Sequence, residues 1–166
     1  NKTLGFFVQE QLSWQDRIFL TAALSGDDNS AFGSDFALQY YPNFHGSWVL
    51  SEESFWNVDM VNSLRLRAAW GQAGRQPSTF ASQTLYGTIL GPNGNGLVPT
   101  TAGNPEVGPE VSTEWEAGVD LALFGDRLSG SVSVYSTVTS DLLVSQSLAP
   151  STGLTGSRQA NLGEMT

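Results

Sequence analysis

The sequence predicts an all-β chain: a stretch of about six antiparallel strands, arranged as three up-and-down hairpins, from the wall of a transmembrane β-barrel. Three observations predict it. Apolar residues recur at every second position in successive runs. The connections between runs sort by length onto two ends, short turns on one and long loops on the other. Tryptophans fall near both ends of the runs, where an apolar ring with one N–H donor suits a membrane interface.

In the first run Leu4, Phe6, Val8, Leu12 and Trp14 share a face, opposite Gln9, Gln11 and Ser13, while Glu10 interrupts the apolar side. The turn Gln15-Asp16-Arg17 leads to the second run, in which Ile18, Leu20, Ala22 and Leu24 alternate with other residues. Gly26 to Asp35 reads as a polar loop. The third run spans Phe36 to Leu50, with Phe44, Gly46, Trp48 and Leu50 on one face and Asn43, His45 and Ser47 on the other. Pro42 cannot donate to a ladder, so a bulge or an unpaired strand end is expected beside it. Ser51 to Asn62 is a connection with room for a helical turn near Glu52 and Glu53.

The fourth run sets Leu64, Leu66, Ala68 and Trp70 against Arg65, Arg67 and Ala69. Gln72 to Val111, rich in Pro and Gly, is far longer than an ordinary connection. The fifth run sets Trp115, Ala117, Val119, Leu121 and Leu123 against Glu114, Glu116, Gly118, Asp120 and Ala122. After the turn Gly125-Asp126-Arg127, the sixth run from Leu128 to Val138 places Leu128, Val132 and Val134 opposite Ser129, Ser131, Ser133 and Tyr135. Thr139 onward reads as a second long loop.

Putting the turns at Asp16 and Asp126 on the periplasmic side sends Gly26–Asp35, Gln72–Val111 and the segment from Thr139 outside. Ser51–Asn62 then falls in the periplasm and is long for that side. Trp14, Trp48 and Phe124 land near periplasmic strand ends, Trp70 and Trp115 near extracellular ones. Lipid satisfies no backbone hydrogen bonds, so only a closed ladder can span it, and about eight strands is the minimum. The run of strands is therefore expected to be an excerpt, with the remaining strands and any export signal lying elsewhere in a longer chain.

Composition narrows the function classes. A net charge of −9, with Lys2 the single lysine, removes the electrostatic attraction on which nucleic-acid binding depends. The absence of Cys excludes a disulfide framework and thiolate metal sites. No apolar run approaches the length of a membrane helix, whereas a transmembrane strand needs only about 9–11 residues. His45 is the only histidine, and no ligand spacing surrounds it, so no metal or cofactor site is expected. Asp27-Asp28-Asn29 lacks the full calcium-loop pattern, and Gly91-Pro92-Asn93-Gly94-Asn95-Gly96 lacks the Lys and helix of a phosphate loop. No nucleophile elbow occurs, and an enzyme is not expected.

Several stretches resemble the C-terminal barrel region of SusC/RagA-type TonB-dependent outer-membrane transporters. They are Tyr41-Pro42-Asn43-Phe44-His45-Gly46-Ser47-Trp48 with Ser51-Glu52-Glu53, and Leu64 to Gly74. Further along come Asn104-Pro105-Glu106-Val107, Glu114 to Asp120, Phe124 to Gly130, Tyr135, Asp141-Leu142-Leu143, and Asn161-Leu162-Gly163-Glu164-Met165. The blocks span most of the chain in the family's order. The resemblance implies that residues 1–166 are a partial barrel domain from a roughly 22-stranded wall, in the outer membrane of a Gram-negative bacterium. It also implies a plug domain and last strand outside these residues, and uptake of oligosaccharides, peptides or other nutrients. Energy would come from the TonB complex through the plug segment, and a SusD-like lipoprotein would act as lid.

Arg65, Arg67, Glu114, Glu116 and Asp120 are expected to form a polar wall facing the lumen, joined by cross-strand ion pairs rather than set up for glycoside cleavage. Leu64, Leu66, Trp70, Trp115, Val119 and Leu121 are expected to face lipid. Phe80, Tyr86 and Ile89 in the longest loop are candidates for ligand contact, with loop anchoring the competing role. Two other functions fit the pattern less well: a passive or adhesive outer-membrane barrel, and a soluble β-sandwich carbohydrate-binding module. The sandwich predicts Trp70, Trp115 and Leu66 buried between two sheets.

Overall fold

The computed structural model describes residues 2–32, 38–92, 94–154 and 156–166. Its strands are β1 (Thr3–Trp14), β2 (Ile18–Asn29), β3 (Gln39–Val49), β4 (Val61–Arg75), β5 (Leu85–Gly91), β6 (Gly94–Thr101), β7 (Glu110–Leu123), β8 (Leu128–Ser140), β9 (Leu143–Ser147), β10 (Ser157–Asn161) and β11 (Glu164–Met165). Short 3-10 turns occupy Leu50–Glu52 and Pro150–Thr152. Seven strands form one antiparallel sheet in the order β1-β2-β3-β4-β7-β8-β11, and β5-β6 and β9-β10 are separate two-stranded ribbons.

The six predicted runs are six of the seven sheet strands; the expected count of six is corrected on two points, and the strand bounds on a third. A seventh strand, β11, pairs Glu164 and Met165 with Ser140 and Thr139 at the edge of β8. Each of the two long connections contains a hairpin ribbon of its own. The long strands also run further than their alternating patterns: β2 continues to Asn29, β4 to Arg75, and β7 starts at Glu110. In these extensions most side chains are polar or small, so the ladder persists where the period of two has faded. Gly26 to Asn29 is consequently strand rather than loop. Phe36, the predicted start of the third run, lies outside the described residues, as do residues 33–35 of the first loop and Asn93.

Strand pairing runs unbroken from β1 to β4, and the β4–β7 ladder carries one irregularity, between Val61 and Ser63. Pro42 pairs with Leu24 in register, and pairing of β3 to β4 begins at the next residue, Asn43. The missing N–H of Pro42 thus falls just beyond the end of the β3–β4 ladder.

One end of the sheet carries the turn at 15–17, the turn at 124–127 and the connection between β3 and β4. Gln15 and Asp16 both adopt positive φ, 50° and 54°, and the Arg17 amide donates to the Trp14 carbonyl at 3.0 Å. Two left-handed central residues match the twist of the flanking strands. The β3–β4 connection, long for this side, is laid along the rim. Arg17 Nη1 meets Glu53 Oε2 at 3.1 Å, and Trp48 Nε1 donates to Glu53 Oε1 at 2.9 Å. The Phe124 amide donates to the Met60 carbonyl at 3.1 Å, and the Gly125 amide to Asn62 Oδ1 at 2.6 Å.

No second layer packs on the sheet among the described residues. The buried apolar residues are Ala31, Phe32, Tyr41, Val49, Ala81, Ala102, Val107 and Ala160, which sit at strand ends and in the loops. A sandwich would bury the inner face of its sheet. Leu66 instead remains 37% exposed, Trp115 48% and Val132 70%.

Candidate functional site: two faces of one sheet and a latched pair of loops

The registers sort the long strands into one apolar and one polar face. On the apolar face, Trp48, Leu66, Val119 and Val132 form a row across β3, β4, β7 and β8. Phe44, Trp70 and Trp115 form a parallel row, with Phe44 and Trp70 stacked at 6.0 Å between ring centroids. Between them lies a trough of small residues, Gly46, Ala68 and Ala117. Leu64 pairs with Leu121 on the same side. The Trp70–Trp115 row lies inside the sheet rather than at its end, since Gln72–Thr113 and later pairs continue beyond it. It marks where the apolar band stops and polar side chains begin.

On the polar face all five predicted residues line up, but their contacts are unequal. Arg67 gathers three strands: Nη1 meets Glu116 Oε1 at 2.7 Å, Nε lies 3.5 Å from Asp120 Oδ1, and Nη2 donates to Ser133 Oγ at 2.6 Å. The Arg67 side chain crosses β7 at Gly118, where an added Cβ would sit 2.9 Å from the guanidinium carbon. Glycine there is a matter of close approach. Glu114 is engaged differently, accepting from Thr137 Oγ1 at 2.7 Å. Arg65, opposite Asp120 in register, has no ion pair among the described residues. A cavity of about 460 Å³ opens above this cluster and includes Thr21, His45 and Arg65 in its lining.

Chemically the cluster is a charge-balanced wall. Glu116 and Asp120 share a guanidinium rather than a proton, and no group of His and carboxylates suitable for a metal occurs among the described residues. The side chains are about one-third exposed, so each pair contributes well under about 1 kcal/mol to stability. Gly118→Val should be costlier than deleting a charge. Its branched side chain displaces Arg67, and urea unfolding of the full-length protein in liposomes should show a loss of about 1–3 kcal/mol.

The end of the sheet away from the tight turns is organised by residues that no periodicity or motif in the sequence marks as functional. Asn104 is buried: its Nδ2 donates to the Gln159 carbonyl at 3.0 Å, and its Oδ1 accepts from the Glu106 amide at 3.2 Å. Asn161 Oδ1 accepts from the Gly108 amide at 2.8 Å, while its Nδ2 donates to the carbonyls of Gly108 and Asp141 at 3.0 and 2.9 Å. Gln159 Oε1 accepts from the amide and hydroxyl of Ser78 at 2.9 and 2.7 Å. Val107, with 0% exposure, sits between Asn104 and Gly108. The loops at 76–109 and 141–163 are thereby latched into one unit. The signals were present in Asn104-Pro105 and Asn161-Leu162-Gly163, but only as matched blocks.

The three loop candidates are not brought together. Phe80 lies at the seam between the latched loops, half-exposed, with φ at 66°. Tyr86 and Ile89 stand on the β5-β6 ribbon, where strand alternation points them to opposite faces.

Comparison with known proteins agrees with this architecture. A family described as "TonB dependent receptor-like, beta-barrel" matches residues 1–166. TonB-dependent receptor P39 of Formosa agariphila is 32% identical over 155 residues, covering 92% of this chain and 15% of that protein. TonB-dependent receptor SusC of Bacteroides thetaiotaomicron is 27% identical, covering 99% of this chain and 17% of that protein. The chain therefore spans about a sixth of the length of such relatives. In three dimensions it superposes on the RagAB peptide importer in its closed-closed state with a TM-score of 0.87 and 23% identity, over 98% of this chain and 18% of that one. The siderophore receptor PirA from Pseudomonas aeruginosa superposes at 0.65 and 17% identity, over 98% of this chain and 29% of that one. A family match along the whole chain, an uncovered apolar sheet face and long loops gathered at one end lead to one conclusion: the chain belongs to the TonB-dependent receptor family, as a SusC/RagA-like stretch of its outer-membrane β-barrel.

Proposed function

We propose that these residues form part of the wall and outer loops of an active nutrient importer. Leu64, Leu66, Trp70, Trp115, Val119 and Leu121 contact lipid, while Arg65, Arg67, Glu114, Glu116 and Asp120 line a watery lumen. The single supporting observation is the division of one sheet into an uncovered apolar face and a charge-balanced polar face, in a chain whose family is built around barrels. Charges are tolerated toward a lumen and costly toward hydrocarbon. Strands beyond this chain close the wall at roughly 22, the size that leaves a lumen large enough to be plugged. A plug domain reached by the TonB complex supplies the energised step. A SusD-like lipoprotein is the partner implied by the SusC/RagA likeness, and the cargo is an oligosaccharide, peptide or comparable nutrient.

The test uses cells carrying the full-length gene, fed fluorescent oligosaccharide and peptide pools. Uptake is expected to stop when the TonB complex is deleted or the proton gradient collapsed. Uptake that persists unchanged under both treatments would instead indicate a passive barrel.

A further inference from the structure

The latched loops enclose a feature that the import reading does not by itself require. At their seam lies a cavity of about 280 Å³, bounded by Ser78, Thr79, Phe80, Ser145, Ser157 and Gln159. Its walls come from both loops, 78–81, 85 and 101–102 on one side, 145 and 157–159 on the other. Ala81 and Ala102, both buried, are also in its lining.

We infer that this seam is a binding site for an uncharged saccharide, which deepens the importer reading and rests on it. The donor and acceptor inventory is the first argument. Gln159 Oε1 is already occupied by the Ser78 amide and hydroxyl, so the two Nε2 hydrogens, which have no partner among the described residues, are left to donate to a ligand. The hydroxyls of Thr79, Ser145 and Ser157 have no hydrogen bond among the described residues and can donate or accept. Such a set matches ligand hydroxyls, which also donate and accept.

Charge is the second argument. The chain carries 16 acidic groups, yet no carboxylate lines the cavity. Arg158 is the one ionic residue there, and its Nε donates to Gln146 Oε1 at 3.1 Å. Arg158 and Gln146 are register partners on β10 and β9, so strand alternation puts them on the ribbon face opposite Gln159 and Ser145. Apart from this engaged guanidinium, the lining is neutral.

Phe80 is the third. A bulky residue at φ 66° is strained, and such strain persists only where the surroundings impose it. Here the Ala81 amide donates to the Ser78 carbonyl at 3.0 Å, the Gln83 amide to the Phe80 carbonyl at 2.9 Å, and the Asn104 amide to the Ala81 carbonyl at 2.8 Å. The held ring is half-exposed at the cavity's lip, where its face can cover the C–H face of a sugar ring.

Calorimetric titration of the full-length protein, in a detergent without a sugar headgroup, tests the site. The probes are maltohexaose, cellohexaose and xylohexaose, an oligogalacturonate hexamer, and hexa-alanine. At least one neutral hexasaccharide is expected to bind, and more tightly than the acidic saccharide or the peptide. Phe80→Gly should weaken that binding about tenfold or more while leaving the melting temperature equal or higher, because glycine accepts this backbone conformation. Gln159→Glu keeps the acceptor for Ser78 but removes the outward donors, and should weaken binding similarly. Unchanged affinity in both variants, no binding of any neutral hexasaccharide, or a preference for the acidic saccharide or peptide overturns the site. If one of those results accompanies intact TonB-dependent uptake, the site fails and the import reading stands; loss of energised dependence in the wild type fails the import reading itself.

Discussion

Leu66→Arg in the full-length protein should lower its folding stability in liposomes by about 2–4 kcal/mol, the cost of a cation near the midplane of a lipid-facing strand. Leu66 lies between Trp48 and Val119 in the middle of the apolar row, away from both rims. No polar side chain on its own face is in register with it, so a guanidinium there would have to snorkel past the neighbouring rows. Glu116→Ala, one strand away on the opposite face, should cost less than about 1 kcal/mol. It leaves Arg67 with Asp120 and Ser133 as partners in a solvated setting. Denaturant titrations of the two variants in parallel measure the contrast. Equal losses would mean that the faces are wrongly assigned.

Asn104→Leu should cost about 1–3 kcal/mol and loosen both outer loops together. The leucine approximates the amide in size but cannot serve the Gln159 carbonyl or the Glu106 amide, and an unserved buried group is costlier than a missing surface bond. Limited proteolysis reads the effect. Cleavage should accelerate within 76–109 and within 141–163, because Asn104 belongs to the first segment and its acceptor to the second. Acceleration confined to the first segment would show that the loops are independent.

The apolar face was legible in the sequence because a period of two is a direct consequence of strand geometry. Leu64, Leu66, Ala68 and Trp70 needed nothing more than alternation to be placed together. Their cross-strand neighbours were legible too: Arg67 with Glu116 and Asp120 follows from opposite charges on matching faces. Gly118 carried no such signal. Its role depends on the Arg67 side chain crossing it, a contact between strands separated in sequence by the longest loop.

The loops were legible only in outline. Ser78, Asn104, Gln159 and Asn161 form hydrogen bonds between segments far apart in the chain, and no periodicity reports such pairs. The β5-β6 and β9-β10 ribbons were missed because their short strands mix Gly, Ser and Pro with apolar residues and read as turn composition. Phe80 stood out as an aromatic in a loop, but its backbone strain appears only in the fold.

A nitroxide scan over residues 115 to 121 of the full-length protein in liposomes tests the central claim most directly. Labels at 115, 117, 119 and 121 should be relaxed by dissolved oxygen, which concentrates in hydrocarbon, and those at 116, 118 and 120 by a water-soluble nickel chelate. The inverse parity, or nickel access at every position, would contradict the assignment of one face to lipid and the other to an aqueous interior.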